Sequence, residues 1–217
     1  MLESRCSMDF NINSLKLDKA YTNGYRDKYN TQCSCEQCQL FRESFEADYP
    51  CAAKFLLQFG IDIQFPIEIM DCGIDDQTLK RGYTVYYAVK GCLPKEKMVT
   101  NIDGIDAIMR SNEIADESYA NTNMDKPFFI IELNNIFLCD NKAVFEDALH
   151  TGREVEFHYG ADYYFLSRNQ RNQWYIYCEQ TKITETYNSS QKLLEKARVG
   201  GIDINTIWND IVIDYLL

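Results

Sequence analysis

The spacing of hydrophobic positions changes several times along the chain, and each change marks an element. "CSMDFNINSLKL" alternates Met8, Phe10 and Ile12 with polar neighbours, the two-residue period of a strand. "TNGYRDKYNTQ" is polar and turn-rich and reads as a loop. From Glu36 the period becomes helical, with Leu40, Phe41 and Phe45 recurring. Pro50 suits the first turn of a second helix, which carries Phe55, Leu56 and Phe59 and stops at Gly60, so a helical hairpin is expected. "GIDIQFPIEIMDCG" reads as a connection with a short apolar segment, and "IDDQTLKRG" as a loop. "YTVYYAVKG" is a strand rich in β-branched and aromatic residues. "KMVTNIDGIDAIMRS" predicts two short strands about the tight-turn pair Asp103-Gly104. "NEIADESYANTNMDK" is a polar loop, and the strongly apolar "PFFIIELNNIFLCD" is a central strand interrupted at Asn134-Asn135.

The remainder reads as a second unit. "NKAVFEDALHTG" is a short helix ended by Gly152. "REVEFHYG", "DYYFLSRN" and "QWYIYCEQ" are three strands with tight polar turns, hence an antiparallel meander. Ser189 or Ser190 caps the next helix, a double glycine ends it, and a short helix about Trp208 leads into a final strand. The expected fold class is α+β, with a first domain over residues 1–140 and a second over 141–217. The first combines a mixed or antiparallel sheet with the helical hairpin. The second is small and holds the meander and its helices.

Charge narrows the partners. The formal net charge is −11, spread over both parts, and such a surface repels phosphate. Direct nucleic-acid binding is therefore disfavoured, and a basic protein partner is favoured because opposite fields steer association. The chain holds 15 tyrosines, a residue that gives large contact area with little rotamer entropy. The meander, around Tyr163, Tyr164, Tyr175 and Tyr177, is the expected contact surface, although only half of an alternating set can face outward. "MLESRCSMDF" lacks the pattern of a secretory signal, and no apolar run has membrane-spanning length. The nine cysteines are accordingly read as mostly reduced thiols in a cytoplasmic protein.

"YNTQCSCEQCQLF" concentrates the candidate chemistry. Thiolates suit zinc, which takes four ligands. Cys33 and Cys35 lie on a loop, Cys38 near a helix start, and Cys51 near the start of the next helix, where a hairpin would return it. Cys33, Cys35, Cys38 and Cys51 form the candidate metal set, with one structural zinc as the candidate cofactor and no cofactor as the alternative. CxCxxC is not the usual pair of CxxC knuckles, and it fits no common iron–sulfur spacing. Cys35 and Cys38 also have the spacing of a redox pair at a helix start, and the thiols could equally fill a small loop core.

Catalytic signals are thin. His150 at a helix end and His158, which alternates with Glu154 and Glu156 along a strand, both read as surface residues, which leaves a thiol nucleophile without a base. Asp75-Asp76 and Asp116-Glu117 read as solvent-facing loop acids. There is no Gly-rich phosphate loop, GxSxG elbow or HExxH.

"CSCEQCQLFRESFEADYP", with "FLLQFGIDIQFPIEI" and "YYAVKG", resembles uncharacterised bacterial proteins in which a cysteine cluster opens a helix before a tyrosine–proline junction. "FEDALHTGREVEFHYGADYYFLS" through "SSQKLLEKARVGGIDINTIWNDI" resembles a second small bacterial domain without an established activity. The general look is similar to that of toxin-immunity proteins, which implies a non-enzymatic inhibitor of a basic toxin or nuclease. Two other readings stay open: a cysteine-based redox or metal-dependent enzyme, and an acidic nucleic-acid mimic that blocks a DNA-binding protein.

Overall fold

The computed structural model describes residues 12, 15–27, 32–102, 104–111 and 124–217. The expected strand about Met8 and Phe10, Asp103 of the tight turn, and the Asp116-Glu117 pair lie outside them. The fold is α+β. The chain divides into two compact units, Met1–Gly73 with Gly82–Leu138, and Ile74–Arg81 with Cys139–Leu217.

The first unit is built on one mixed-length sheet. Its strands are β1 (Lys16–Leu17), β2 (Glu68–Asp75), β3 (Lys80–Cys92), β4 (Lys97–Ile102), β5 (Ile105–Ser111) and β6 (Phe128–Leu138), in the order β1-β3-β6-β5-β4, with β2 also paired to β3. The β4–β5 and β5–β6 pairs are antiparallel, as the alternation in "KMVTNIDGIDAIMRS" suggests. The "TNGYRDKYNTQ" loop is structured over its described part. Asp18 accepts from the Tyr21 amide and starts α1 (Lys19–Asn23), and a 3-10 turn follows over Gly24–Asp27. β2 begins on the short apolar segment that follows the expected connection and runs into the stretch expected as the "IDDQTLKRG" loop. Met70, Asp71 and Cys72 are all exposed, so this strand shows little of the apolar alternation by which a strand is recognised.

Helices α2 (Glu36–Asp48) and α3 (Pro50–Leu57) meet at Tyr49. Pro50 takes the first helical position, where its missing N–H costs nothing. The Tyr49 hydroxyl accepts from the Phe137 amide at 2.9 Å and donates to the Phe137 carbonyl at 3.1 Å, which ties the junction to β6. Gly60 ends the pair at φ +78°, and a Cβ there would lie 2.5 Å from the Lys19 carbonyl oxygen, so no other residue fits. Phe41, Phe45, Phe55, Leu56 and Phe59 share one core with Tyr83, Val85, Tyr87 and Val89 of β3. Full burial of each such side chain is worth roughly 1.5–3 kcal/mol. The alternate residues Tyr86 and Ala88 enter a smaller cluster with Tyr25, Ile67 and Met124. β6 is continuous rather than interrupted at Asn134-Asn135. Asn135 adopts φ +63°, and the inward phase moves from Leu133 to Ile136 across it, the signature of one extra residue in a strand.

The second unit carries a five-stranded sheet in the order β10-β9-β8-β7-β13. Its strands are β7 (Val155–Tyr159), β8 (Asp162–Arg168), β9 (Trp174–Cys178), β10 (Thr184–Tyr187) and β13 (Ile211–Leu216). All four pairings are antiparallel. A two-stranded ribbon, β11 (Arg198–Val199) with β12 (Ile202–Asp203), turns at the double glycine. Phe145, Ala148 and Leu149 of α4 (Asn141–Thr151) and Leu193 of α5 (Ser190–Lys196) share a core with Val155, Phe157, Tyr164, Leu166, Trp174 and Ile176. Asp140 caps α4, Gly152 ends it in the left-handed region, and Ser189 caps α5 by accepting from the Lys192 amide. Two ion pairs join segments of this unit that are distant in sequence. Arg81 Nε lies 2.6 Å from Asp140 Oδ2, and Arg153 Nη1 lies 3.2 Å from Asp76 Oδ1.

Asn141 is the buried polar residue on which the end of the chain depends. Its side-chain amide donates to the carbonyls of Trp208 and Ile211, each at 2.7 Å. Asn141→Ala leaves both acceptors without that donor, and an unsatisfied buried group costs about 1–3 kcal/mol. The expected result is a fall in unfolding free energy of that size in a denaturant titration of the full chain. Stability unchanged within experimental error would contradict the assignment.

Candidate functional site

Two features of the described residues concentrate chemistry, one in each unit. The first is the cysteine cluster. Cys35 occupies the N-cap position of α2 in an extended conformation, and Cys38 is the third residue of the helix. An N-cap side chain lies over the amides of the first turn, which is why residues at these two positions meet. Cys33, two residues earlier on the loop, joins them, and the three sulfurs all lie within 4.8 Å of one another. Cys33 and Cys35 are exposed and Cys38 is buried.

The loop is held in place by groups other than the thiols. The Arg42 guanidinium donates to the Cys33 carbonyl. The Gln32 side chain donates to the Gln64 carbonyl at 2.8 Å, and the Gln64 side chain donates to the Arg42 carbonyl at 2.9 Å. Tyr83, buried on β3, donates from its hydroxyl to the Gln37 carbonyl at 3.0 Å and so fixes the first turn of α2 to the sheet. The three thiols are thus presented by a braced loop and a braced helix.

Their environments differ. The Cys38 amide and the Cys33 side chain hold the Cys35 thiol below its ordinary pKa. Cys35 forms no cap hydrogen bond by distance and angle, so this is a short-range electrostatic effect of the helix start. Burial, reinforced by the neighbouring Cys35 and Cys33, pushes the Cys38 thiol up to about 12.

Cys51 does not belong to the set. It is 1% exposed, packs in the aromatic core of the first unit, and is disulfide-bonded, so it offers no free thiol. The reason is legible in its helix: Cys51, Ala52, Ala53, Phe55 and Leu56 are all buried, so α3 is apolar nearly all round. The expected fourth ligand is therefore withdrawn, as is the reduced state for this cysteine. Cys33, Cys35 and Cys38 together could hold a metal ion.

The second feature is the outer face of the second unit's sheet. The register places His158 opposite Tyr163, Glu156 opposite Phe165, and Phe165 opposite Tyr177, while Tyr175 lies two residues along β9. Across β7, Val212 lies opposite His158 and Tyr215 opposite Glu156. Tyr163, Phe165, Tyr175, Tyr177 and Tyr215 therefore share one face. Tyr215 and Val212 are among the most exposed large apolar side chains, at 62% and 61%. The Tyr163 hydroxyl donates to Glu156, which raises its pKa to about 12. The His158 ring meets the Tyr163 ring edge-on at 4.9 Å, and its Nδ1 lies 2.6 Å from Asp214 Oδ2. Lys182 sits over the Tyr177 ring while pairing with Glu179.

Tyr164 must be removed from the expected contact residues. It is 3% exposed and stacked on Phe157 at 5.2 Å in the core. Tyr163 and Tyr164 are adjacent in one strand, so only one of them can face out. Phe165, Tyr215 and Val212 were missed. The alternation of 163 with 165 carries the signal for Phe165, whereas the pairing of β13 with β7 has no local signature.

The described acids among the remaining candidates have structural partners. Asp75 accepts from the amide and hydroxyl of Thr78, both at 2.7 Å, and Asp76 pairs with Arg153. His150 is exposed in the last turn of α4. A cleft of about 450 Å³ is lined by Cys92, Ser111, Lys95 and Lys126 among others, with no histidine. No helix of the described residues is long and apolar enough to cross a membrane. Comparison with protein-family models, curated proteins and solved structures finds no match to the chain.

Thiolate is the nucleophile in alkylation, so the two helix-start cysteines separate kinetically. At neutral pH, Cys35 is expected to react with iodoacetamide at least about tenfold faster than Cys38, since one pKa unit alone is a factor of ten. Its rate rises through a midpoint below that of an ordinary thiol. Mass-spectrometric mapping that finds equal rates, or Cys38 first, would contradict the assigned environments.

Proposed function

We propose that the protein acts by binding another protein, without chemistry of its own, through the outer face of the β10-β9-β8-β7-β13 sheet. The observation that carries this reading is the grouping of Tyr163, Phe165, Tyr175, Tyr177 and Tyr215 on that face. Rigid aromatic rings supply contact area at low entropic cost and are enriched where binding energy concentrates. A sheet of five strands holds them in fixed register, so little order has to be imposed on association.

The partner is a basic protein. Glu156 and Asp214 stand among the rings, and the chain carries a net charge of −11. That field attracts a cationic surface and repels phosphate. A toxin or nuclease with a basic active face fits this description, which makes the protein an immunity-like inhibitor.

The test uses a variant that keeps the core intact. Affinity capture from the source cell at low salt is done with the wild type and with Tyr163→Ala/Tyr175→Ala/Tyr177→Ala, and the captured protein is then purified for calorimetric titration. A basic partner is expected at one-to-one stoichiometry, with affinity that falls as salt rises. Each single alanine is expected to cost about 2 kcal/mol, roughly thirtyfold, as central interface aromatics do. A partner bound equally well by the triple variant would contradict the assignment. Competition of DNA with the partner for this face would replace it with nucleic-acid mimicry.

A further inference from the structure

We infer that Cys33, Cys35 and Cys38 form a three-thiolate site for one thiophilic divalent ion of the zinc class, with the remaining position filled from solvent or from a bound molecule. The inference is independent of the binding face.

Convergence is the first ground. A zinc–sulfur bond of about 2.3 Å places ligand sulfurs about 3.8 Å apart in a tetrahedron. The three sulfurs already lie within 4.8 Å of one another, so closure on an ion needs movements of about 1 Å. Two of the thiols are exposed, and these side chains are free to make that adjustment. A redox pair needs only two sulfurs at a helix start. The third, Cys33, is brought to the same point by a bonded carbonyl and has no role in a simple pair.

The supporting shell is the second ground. Ligands that hold a metal are oriented by partners outside the coordination sphere. Here the Arg42 bond holds the Cys33 carbonyl, the Tyr83 bond holds Gln37 between Cys35 and Cys38, and the Gln32–Gln64–Arg42 chain ties the residue before Cys33 to α2. These bonds link the cysteine segment to α2, β3 and the loop at Gln64, and none of them uses a thiol.

Charge is consistent with the same occupant. Binding exchanges three thiol protons for one divalent ion and leaves a site of net charge −1. That charge lies at the N-terminal end of the thirteen-residue α2 and near the Arg42 guanidinium, with Glu36 as the opposing charge in the same turn. With Cys51 disulfide-bonded, the protein supplies three sulfurs from this region of the described residues. Three protein ligands and one exchangeable position characterise accessible zinc sites rather than closed structural ones.

The experiment titrates cadmium(II) into full-length, metal-stripped protein under nitrogen. Thiolate-to-cadmium charge transfer is followed in the ultraviolet, native mass spectrometry gives stoichiometry, and a chromogenic chelator measures zinc(II) affinity. The absorbance is expected to saturate at one ion per chain. Cys33→Ser and Cys35→Ser, both at exposed positions, are expected to weaken zinc binding about a hundredfold or more, at or above what loss of an outer partner costs. Cys72→Ser, on the exposed strand β2, leaves it unchanged. No charge-transfer band, or a band that survives Cys33→Ser, overturns the site. Recovery of the protein two hydrogens lighter than the form that holds only the Cys51 disulfide, with Cys35 bonded to Cys38 and no metal uptake after reduction, also overturns it.

Discussion

The strict alternation of side chains between the two faces of a β-strand is the constraint on which this structure rests. In β3 it sends Tyr83, Val85, Tyr87 and Val89 toward the helical hairpin and Tyr86 and Ala88 to the opposite cluster. In β8 it sends Tyr164 and Leu166 into the second core and leaves Tyr163 and Phe165 outside. A slip of one residue would exchange the two sets, expose the core rings and bury the ionised groups around His158. The register is held against such a slip by the size of the buried set, since each large apolar side chain contributes roughly 1.5–3 kcal/mol.

The same constraint explains what could be read from the sequence. Elements with strong periodicity or punctuation were legible: α2 and α3 around Pro50, the β4–β5 pair, α4 with its Gly152 stop, the strands of the meander, and Ser189 at the start of α5. Elements held by backbone pairing alone were not. β2 is largely exposed, and β10 is the polar "TETY", so neither shows an apolar face. α1 depends on the Asp18 cap and on Tyr25 reaching a small core, a tertiary effect invisible in a polar stretch. Asn135 was recognised as an irregularity, but the strand absorbs it by a change of phase rather than by a break.

The candidate sites divide along similar lines. Cys33, Cys35 and Cys38 converge because their spacing straddles a helix start, which is a local property. Cys51 fails as a ligand because its helix is buried on nearly every side, which depends on the core around it. The tyrosines of β8 and β9 were legible as a group, yet their sorting by face required the register, and Tyr215 required the return of β13 beside β7. The thiol cluster belongs to the first unit and the aromatic face to the second, so loss of one is separable by experiment from loss of the other.

The claim that the outer sheet face is where this protein acts is tested most directly by hydroxyl-radical footprinting of the free protein and of its complex with a captured basic partner. In the free protein, Tyr163, Phe165, Tyr175, Tyr177 and Tyr215 should be oxidised, while Tyr164 and Phe157 resist. In the complex, the five outer rings should become protected together. Protection confined to another surface, or oxidation of Tyr164 as fast as Tyr163 in the free protein, would contradict the account.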